Sequence, residues 1–190
     1  LPACKSMGSN AFLRCSSLAT LRLPAVERVP SSMFMSSSAL RYVDIRGCDV
    51  VENYAFSDCS NLSSVILDSC THVFGGAFTR CPLTTVSLPN CVSIGGNAFT
   101  DCSMLSEVYA PECRYVYNAF RNCVALTSMS LPECTKVNNS TFKSCTSLVS
   151  VYAPKCTYVG AGAFSSCTSL EGVQQSHSRS AACASRSQAR

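Results

Sequence analysis

The sequence predicts an α/β repeat solenoid, in which the chain winds as a right-handed superhelix with one short parallel strand in each coil. Three observations support this prediction. The same pattern returns every 21 or 22 residues, each copy holds an alternating apolar segment of strand length, and each copy carries one phenylalanine at the same place. A unit of this kind cannot bury its apolar face alone and is stabilised by stacking on its neighbours.

Eight copies of the repeat cover residues 1–174. The fifth copy, LPNCVSIGGNAFTDCSMLSEVY, begins at Leu88, and the eighth, APKCTYVGAGAFSSCTSLEGVQ, begins at Ala153. The shared pattern is LPxCxxVGxxAFxxCxxLxxVx, with one residue deleted in the fourth copy (CPLTTV) and one in the sixth (YVYNAF). We therefore predict a single solenoid domain over residues 1–174, built from eight repeats of 21–22 residues.

Successive copies join to form the strand-and-turn signature of a leucine-rich repeat, LxxLxLxxC. One example consists of Leu105, Val108, Ala110 and Cys113. Alternating apolar residues bury one face of a short strand, and the proline that follows most of these strands has no N–H with which to continue the pairing. On the opposite side of each coil we expect turns or short helical pieces, with the phenylalanines of the AFxxC segments stacked as a spine.

The repeats resemble the BspA-like, or Treponema pallidum-type, class of leucine-rich repeats, and the AFxxC segment is the distinctive part of the resemblance, which covers residues 1–174. Similar repeats are found in surface-exposed proteins of bacteria and some protozoan parasites, and in phage-like proteins. The resemblance therefore implies attachment or protein binding at an extracellular or cell-surface location, and it brings no catalytic residues. The additional cysteine in the LPxC segment of nearly every copy departs from the usual pattern.

Fourteen of the fifteen cysteines fall in two columns, one in LPxC and one in AFxxC, and the second copy replaces both with Val26 and Ser37. Four interpretations are open. Small buried thiols at turns are favoured by Val26, which can neither crosslink nor bind a metal. A disulfide framework is the second interpretation, and a metal site without any CxxC pair is the third. A catalytic thiol, the fourth, requires a base such as His72 or His177.

The outward positions of the strands form the candidate binding face. Most of these positions hold Ser or Thr, and the tyrosines among them offer large contact areas at a low entropic cost. The same residue types also suit exposed strand positions without any binding role. The candidate contact residues are Arg22, Arg41, Tyr42, Asp44, Ile66, Glu107, Tyr109 and Tyr152.

Composition narrows the classes of partner. The net charge of +4 comes mainly from residues 175–190, whose removal leaves twelve basic against eleven acidic residues. Because no cluster of Lys and Arg is present, we do not expect a nucleic-acid partner. No apolar stretch is long enough to span a membrane, and we expect neither a cofactor nor a metal.

Residues 175–190 abandon the repeat and are rich in Ser, Ala and Arg, so we expect a disordered segment or a linker there. We also expect further repeats or domains of the same parent chain. Taken together, the sequence predicts a non-enzymatic protein-interaction or adhesion module presented on a surface. The alternative is a structural spacer or self-assembly element within a larger cell-surface or phage-like protein.

Overall fold

The computed structural model describes residues 3–174, which form a solenoid of stacked coils. Along the chain, a three-residue strand is followed by a two-residue strand and then by a turn segment that holds the phenylalanine, and the described residues hold eight strands of the first kind and seven of the second. The three-residue strands are β1 (Thr20–Arg22), β3 (Tyr42–Asp44), β5 (Ser64–Ile66), β7 (Thr85–Ser87), β9 (Glu107–Tyr109), β11 (Ser128–Ser130), β13 (Ser150–Tyr152) and β15 (Gly172–Gln174). The two-residue strands are β2 (Arg28–Val29), β4 (Val50–Val51), β6 (His72–Val73), β8 (Ser93–Ile94), β10 (Tyr115–Val116), β12 (Lys136–Val137) and β14 (Tyr158–Val159).

The three-residue strands pair in parallel, as predicted, and their register follows the repeat, so that Arg22 lies opposite Asp44. They divide into two sheets, β1-β3-β5 and β7-β9-β11-β13-β15. The division coincides with the deletion in the fourth copy, where Pro82 alone separates Cys81 from Leu83. That coil is one residue shorter on its approach to β7, which accounts for the lost pairing between β5 and β7.

The two-residue strands form a second parallel sheet of seven strands, which continues from β2 to β14. One residue of each strand points inward and is apolar. Val116, for example, is fully buried and lies in register with Ile94 and Val137. Apolar alternation predicted only one strand per coil, because a two-residue strand is too short to show an alternating pattern.

The third side of each coil is built from turns. The α/β class is not confirmed, because residues 3–174 contain no helix. Each coil places two residues in the left-handed region, one two positions before its phenylalanine and one two positions after, with φ between 46° and 66°. A residue in that region interrupts the run of dihedral angles that a helix needs. The amides instead donate to the next coil, as in the 2.8 Å bond from Phe34 N to Ala55 O.

The predicted aromatic spine is confirmed and forms the centre of the core. Eight phenylalanine rings, from Phe12 to Phe164, stack with neighbouring centroids 5.1 to 5.6 Å apart and ring planes within 13° of parallel. Offset pairs of this kind contribute about 0.5–1.5 kcal/mol beyond the burial of their area. The middle residues of the three-residue strands pack towards the spine from the other side, and Val86 and Met129 are buried there.

The segment expected to be a linker, residues 175–190, lies outside the described residues, and so do Cys183 and His177. Among residues 3–174, no helix has the length and apolar character needed to cross a membrane.

Candidate functional site

The candidate binding surface is the outer side of the three-residue strands. In β9, the middle residue Val108 is buried while Glu107 and Tyr109 on either side of it are exposed. β7 and β11 show the same alternation, whereas in β3 the third residue, Asp44, is buried and in β5 the third residue, Ile66, is partly buried. The parallel register aligns the first and third residues of the strands in two columns across the coils. We call the surface formed by these first and third residues the strand face.

The N-terminal part of the strand face brings four of the predicted contact residues together. The guanidinium carbon of Arg22 lies 5.9 Å from the centroid of the Tyr42 ring, within the range of a cation–π contact. Asp44 stands between Arg22 and Ile66 in the same column. The Asp44 residue is only 6% exposed, and its carboxylate accepts hydrogen bonds from Arg46 Nε at 3.0 Å and Nη2 at 2.9 Å.

These hydrogen bonds from Arg46 hold the pKa of Asp44 below its ordinary value. The group that this pair presents to solvent is therefore the exposed Arg46 guanidinium, which the sequence analysis missed because Arg46 follows β3 and does not lie within it. Arg41 precedes β3 and is exposed. Its carbonyl accepts the amides of Ser63 and Ser64 at 3.1 and 3.2 Å, which fixes the backbone of Arg41 at the border of the strand face.

The C-terminal part of the strand face holds the other predicted residues. Tyr109 is 55% exposed and Tyr152 is 46% exposed. Ser130 lies between them in register, so the two tyrosines are two strand spacings apart, or about 9.6 Å. Glu107 is exposed in the neighbouring column and lies opposite Thr85. The eight predicted residues thus form two groups, on either side of the division between β5 and β7.

The cysteine columns form two series of hydrogen-bonded thiols. All fourteen column cysteines are free, and twelve of them are buried. In the AFxxC column, each Sγ from the third coil onward donates to the carbonyl of the phenylalanine in the preceding coil, as Cys81 does to Phe56 O at 3.0 Å. In the LPxC column, Sγ donates to the carbonyl two residues later, as Cys48 does to Val50 O at 3.1 Å. The structure therefore supports the interpretation of the columns as buried thiols.

Burial makes these thiols poor nucleophiles. It raises the pKa of Cys48 and Cys91 to about 11, and that of Cys59 and Cys102 to about 12. Catalytic cysteines have a lowered pKa, because the thiolate is the reactive form. Among residues 3–174, no group of three or more His, Cys, Asp or Glu side chains is placed to hold a metal ion.

A concave site that the sequence analysis missed lies where the second sheet meets the turn segment. It has a volume of about 290 Å³ and is lined by five residues. We call it the corner notch, and its residues are Tyr117, Asn118, Asn138, Asn139 and Tyr158. The signal in the sequence was the deletion in the sixth copy, where Tyr117 and Asn118 alone stand between Val116 and the Ala-Phe pair.

The deletion changes the hydrogen bonding at this corner. In the neighbouring coils, a backbone amide reaches the preceding coil, from Tyr117 N to Ile94 O at 3.0 Å and from Gly160 N to Val137 O at 2.7 Å. Between the sixth and seventh coils, the carbonyl of Val116 receives the Asn138 side chain instead, with Nδ2 at 2.9 Å. The short sixth coil therefore leaves a recess, and an asparagine side chain spans it.

Comparison with known proteins places this repeat in a family. The BspA-type leucine-rich-repeat region matches the chain in six copies, over residues 2–106 and 75–181. The chain belongs to the BspA-type leucine-rich-repeat family. The resemblance seen in the AFxxC segments is confirmed. No curated protein sequence matches the chain.

Solved structures share the BspA-type fold at low sequence identity. A leucine-rich-repeat protein of T. pallidum matches with a TM-score of 0.73 and 24% identity, over 80% of this chain and 77% of the other. A leucine-rich cell-surface protein of Faecalibacterium prausnitzii matches with a TM-score of 0.58 and 22% identity, over 90% and 63%. The pneumococcal vaccine antigen PcpA matches with a TM-score of 0.54 and 13% identity, over 82% and 60%. This chain thus spans less than two thirds of the last two proteins.

Proposed function

We propose that this chain is a non-enzymatic binding module at a cell surface, and that its strand face contacts a protein partner. The observation that carries the proposal is the pair of exposed tyrosines, Tyr109 and Tyr152, held in register on either side of Ser130. A parallel sheet fixes their backbones, so binding would require little ordering of the protein. Tyrosines on a rigid surface are common among the residues that dominate binding energy.

Three further features support this function. The strand face is nearly neutral and polar at its C-terminal part, which suits a protein partner better than a nucleic acid. Two structural neighbours are described as a cell-surface protein and a vaccine antigen, and the chain shares their fold. The buried thiols have a raised pKa and thus lack the property that a thiol enzyme needs.

The test is a binding screen against purified extracellular-matrix and plasma proteins, followed by affinity measurements with variants. We expect Tyr109→Ala and Tyr152→Ala each to weaken the identified complex by roughly tenfold to thirtyfold, as truncation of a central tyrosine does. Tyr115→Ala is the matched control, because Tyr115 is similarly exposed but lies on the second sheet and outside the corner notch. Equal losses in all three variants, or none, would refute the strand face as the binding surface.

The same variants test the alternative function, a spacer or self-assembly element. Analytical ultracentrifugation over a range of protein concentrations would show self-association directly. If the protein self-associates and Tyr109→Ala abolishes the association, the strand face contacts a second copy of the chain. A monomer at all concentrations would leave the protein partner as the supported function.

A further inference from the structure

The corner notch combines aromatic rings with side-chain amides. Tyr117 is 46% exposed and Tyr158 is 49% exposed, so each ring offers a large part of its surface to a ligand. Asn138 and Asn139 come from the seventh coil, between the coils that supply the two tyrosines. No acidic or basic side chain is among the five lining residues.

The amides in the notch have groups free to bind. Asn139 Oδ1 accepts the amide of Ala161 at 2.9 Å, which orients the side chain. Among the hydrogen bonds of residues 3–174, none uses Nδ2 of Asn139, and Asn138 uses only one of its two amide hydrogens. A side-chain amide offers both donors and acceptors. Such a group matches a hydroxyl, which also donates and accepts.

We propose that the corner notch binds a neutral saccharide of one or two pyranose rings. The C–H faces of a pyranose are apolar and fit an exposed aromatic ring, and its hydroxyls fit the asparagine amides. The volume of about 290 Å³ lies just below the range of about 300–1,000 Å³ for small-molecule sites, so it suits only a small ligand. The absence of charge from the five lining residues favours a neutral sugar over a uronic acid or a phosphosugar.

This site is independent of the strand face. Tyr158 belongs to β14 of the second sheet and is in register with Lys136, whereas Tyr109 and Tyr152 belong to the first. One set of substitutions would abolish the binding of a protein partner to the strand face, and a different set would abolish the binding of a saccharide to the notch. Failure of one proposal would leave the other unaffected.

The experiment is saturation-transfer-difference NMR and a titration with maltose, cellobiose, lactose and N,N′-diacetylchitobiose. Asn138 and Asn139 each begin an Asn-X-Ser/Thr triplet, an acceptor pattern for glycosylation, so the protein is produced in a bacterial host that does not glycosylate asparagine. We expect at least one of these sugars to bind with a Kd on the order of 0.1–10 mM, typical of a shallow site that buries few ligand atoms. A parallel titration with the corresponding polysaccharide distinguishes free sugars from glycan chains as the source of the ligand.

Four variants assign the binding to the notch. Tyr117→Ala and Tyr158→Ala should each weaken the sugar complex at least fivefold, with thermal melting by circular dichroism showing that the fold is kept. Lys136→Ala and Tyr109→Ala should stay within twofold of the parent protein, since Lys136 neighbours the notch without lining it and Tyr109 lies on the strand face. Insertion of one glycine after Tyr117 restores the corner length of the neighbouring coils and should abolish binding. The proposal is overturned if no sugar binds at 20 mM, or if the control variants lose as much affinity as the notch variants.

Discussion

At the scale of single residues, the second coil shows what each cysteine column requires. Val26 occupies the LPxC column and Ser37 the AFxxC column. Ser37 Oγ donates to Phe12 O at 2.8 Å, the same bond that Cys102 Sγ makes to Phe78 O at 3.1 Å. Every residue of the AFxxC column therefore has a side-chain hydrogen-bond donor, whereas the LPxC column tolerates Val26, which has none.

This difference predicts that the AFxxC column tolerates serine better than valine, and that the LPxC column tolerates valine. Cys102→Ser keeps the donor and should change the free energy of unfolding by less than about 1 kcal/mol. Cys102→Val removes the donor and adds volume at a fully buried site, and should cost about 1–3 kcal/mol. Cys91→Val is the matched control in the LPxC column and should cost less than about 1.5 kcal/mol. Urea denaturation in the presence of a reductant measures all three, and a lower cost for Cys102→Val than for Cys102→Ser would contradict the assignment.

The sequence predicts which strand residues face outward, because this depends only on the alternation of apolar residues. It does not predict contacts that depend on the path of the chain after a strand or on neighbouring coils. Alternation is local, so the outward positions of Tyr109 and Tyr152 followed from the pattern alone. The pairing of Asp44 with Arg46 depends on how the chain turns after β3. The corner notch depends on three successive coils, and a one-residue deletion was the only trace of it in the sequence.

At the scale of elements, the turn segment is where the α/β class is not confirmed, since in residues 3–174 it contains turns and not the short helical pieces that were the other expectation. Asn, Ser, Asp and Gly occupy most positions two residues before and two residues after each phenylalanine, and these types tolerate the left-handed region. The equivalent positions held by Tyr54, Arg14 and Arg80 also have φ near 60°, and these residue types do not indicate a left-handed conformation. The strands, in contrast, followed from apolar alternation, because their inner residues face the core directly.

Substitution of two glycines at equivalent turn positions distinguishes the cost of backbone strain from the cost of steric crowding. Gly76 has a φ of +66°, and a Cβ added there would lie 2.5 Å from two ring carbons of Tyr54. Gly162 has a φ of +62°, and its added Cβ would lie no closer than 3.7 Å to Ser140 Oγ. We expect Gly162→Ala to cost about 1 kcal/mol through strain alone, and Gly76→Ala to cost at least about 1 kcal/mol more. Thermal or urea unfolding of the two variants measures the difference.

Removing the ring provides the control for this prediction. In a Tyr54→Ala background the crowding is gone, so Gly76→Ala should then cost no more than Gly162→Ala does in the parent chain. The resulting interaction energy between positions 54 and 76 should be about 1 kcal/mol. If Gly76→Ala costs the same with and without the tyrosine ring, crowding by Tyr54 does not contribute to the cost of this substitution.

At the scale of the whole molecule, the stacked thiols tie the stability of the solenoid to pH. Burial raises the pKa of Cys59, Cys102 and Cys145 to about 12, and that of Cys48 and Cys91 to about 11. In the unfolded chain, a cysteine has a pKa of about 8.5. The unfolded chain therefore loses these protons first, and the stability that protonated thiols provide is complete below pH 8.5 and declines as the pH rises towards 11 or 12.

The decline should be large because buried thiols recur in every coil from the third onward. Each buried thiol loses about 1.4 kcal/mol per pH unit above the pKa of the unfolded state, so these five together lose about 7 kcal/mol by pH 9.5. Since a typical domain is stable by only about 5–15 kcal/mol, we expect the reduced protein to unfold cooperatively between about pH 9 and 11. Urea denaturation at pH 7 and pH 9.5 with a reductant measures the loss. The double variant Cys59→Ser/Cys102→Ser should reduce it by about 3 kcal/mol, because serine keeps the donor without titrating. A stability that is unchanged between the two pH values would contradict the assignment of these cysteines as buried, protonated thiols.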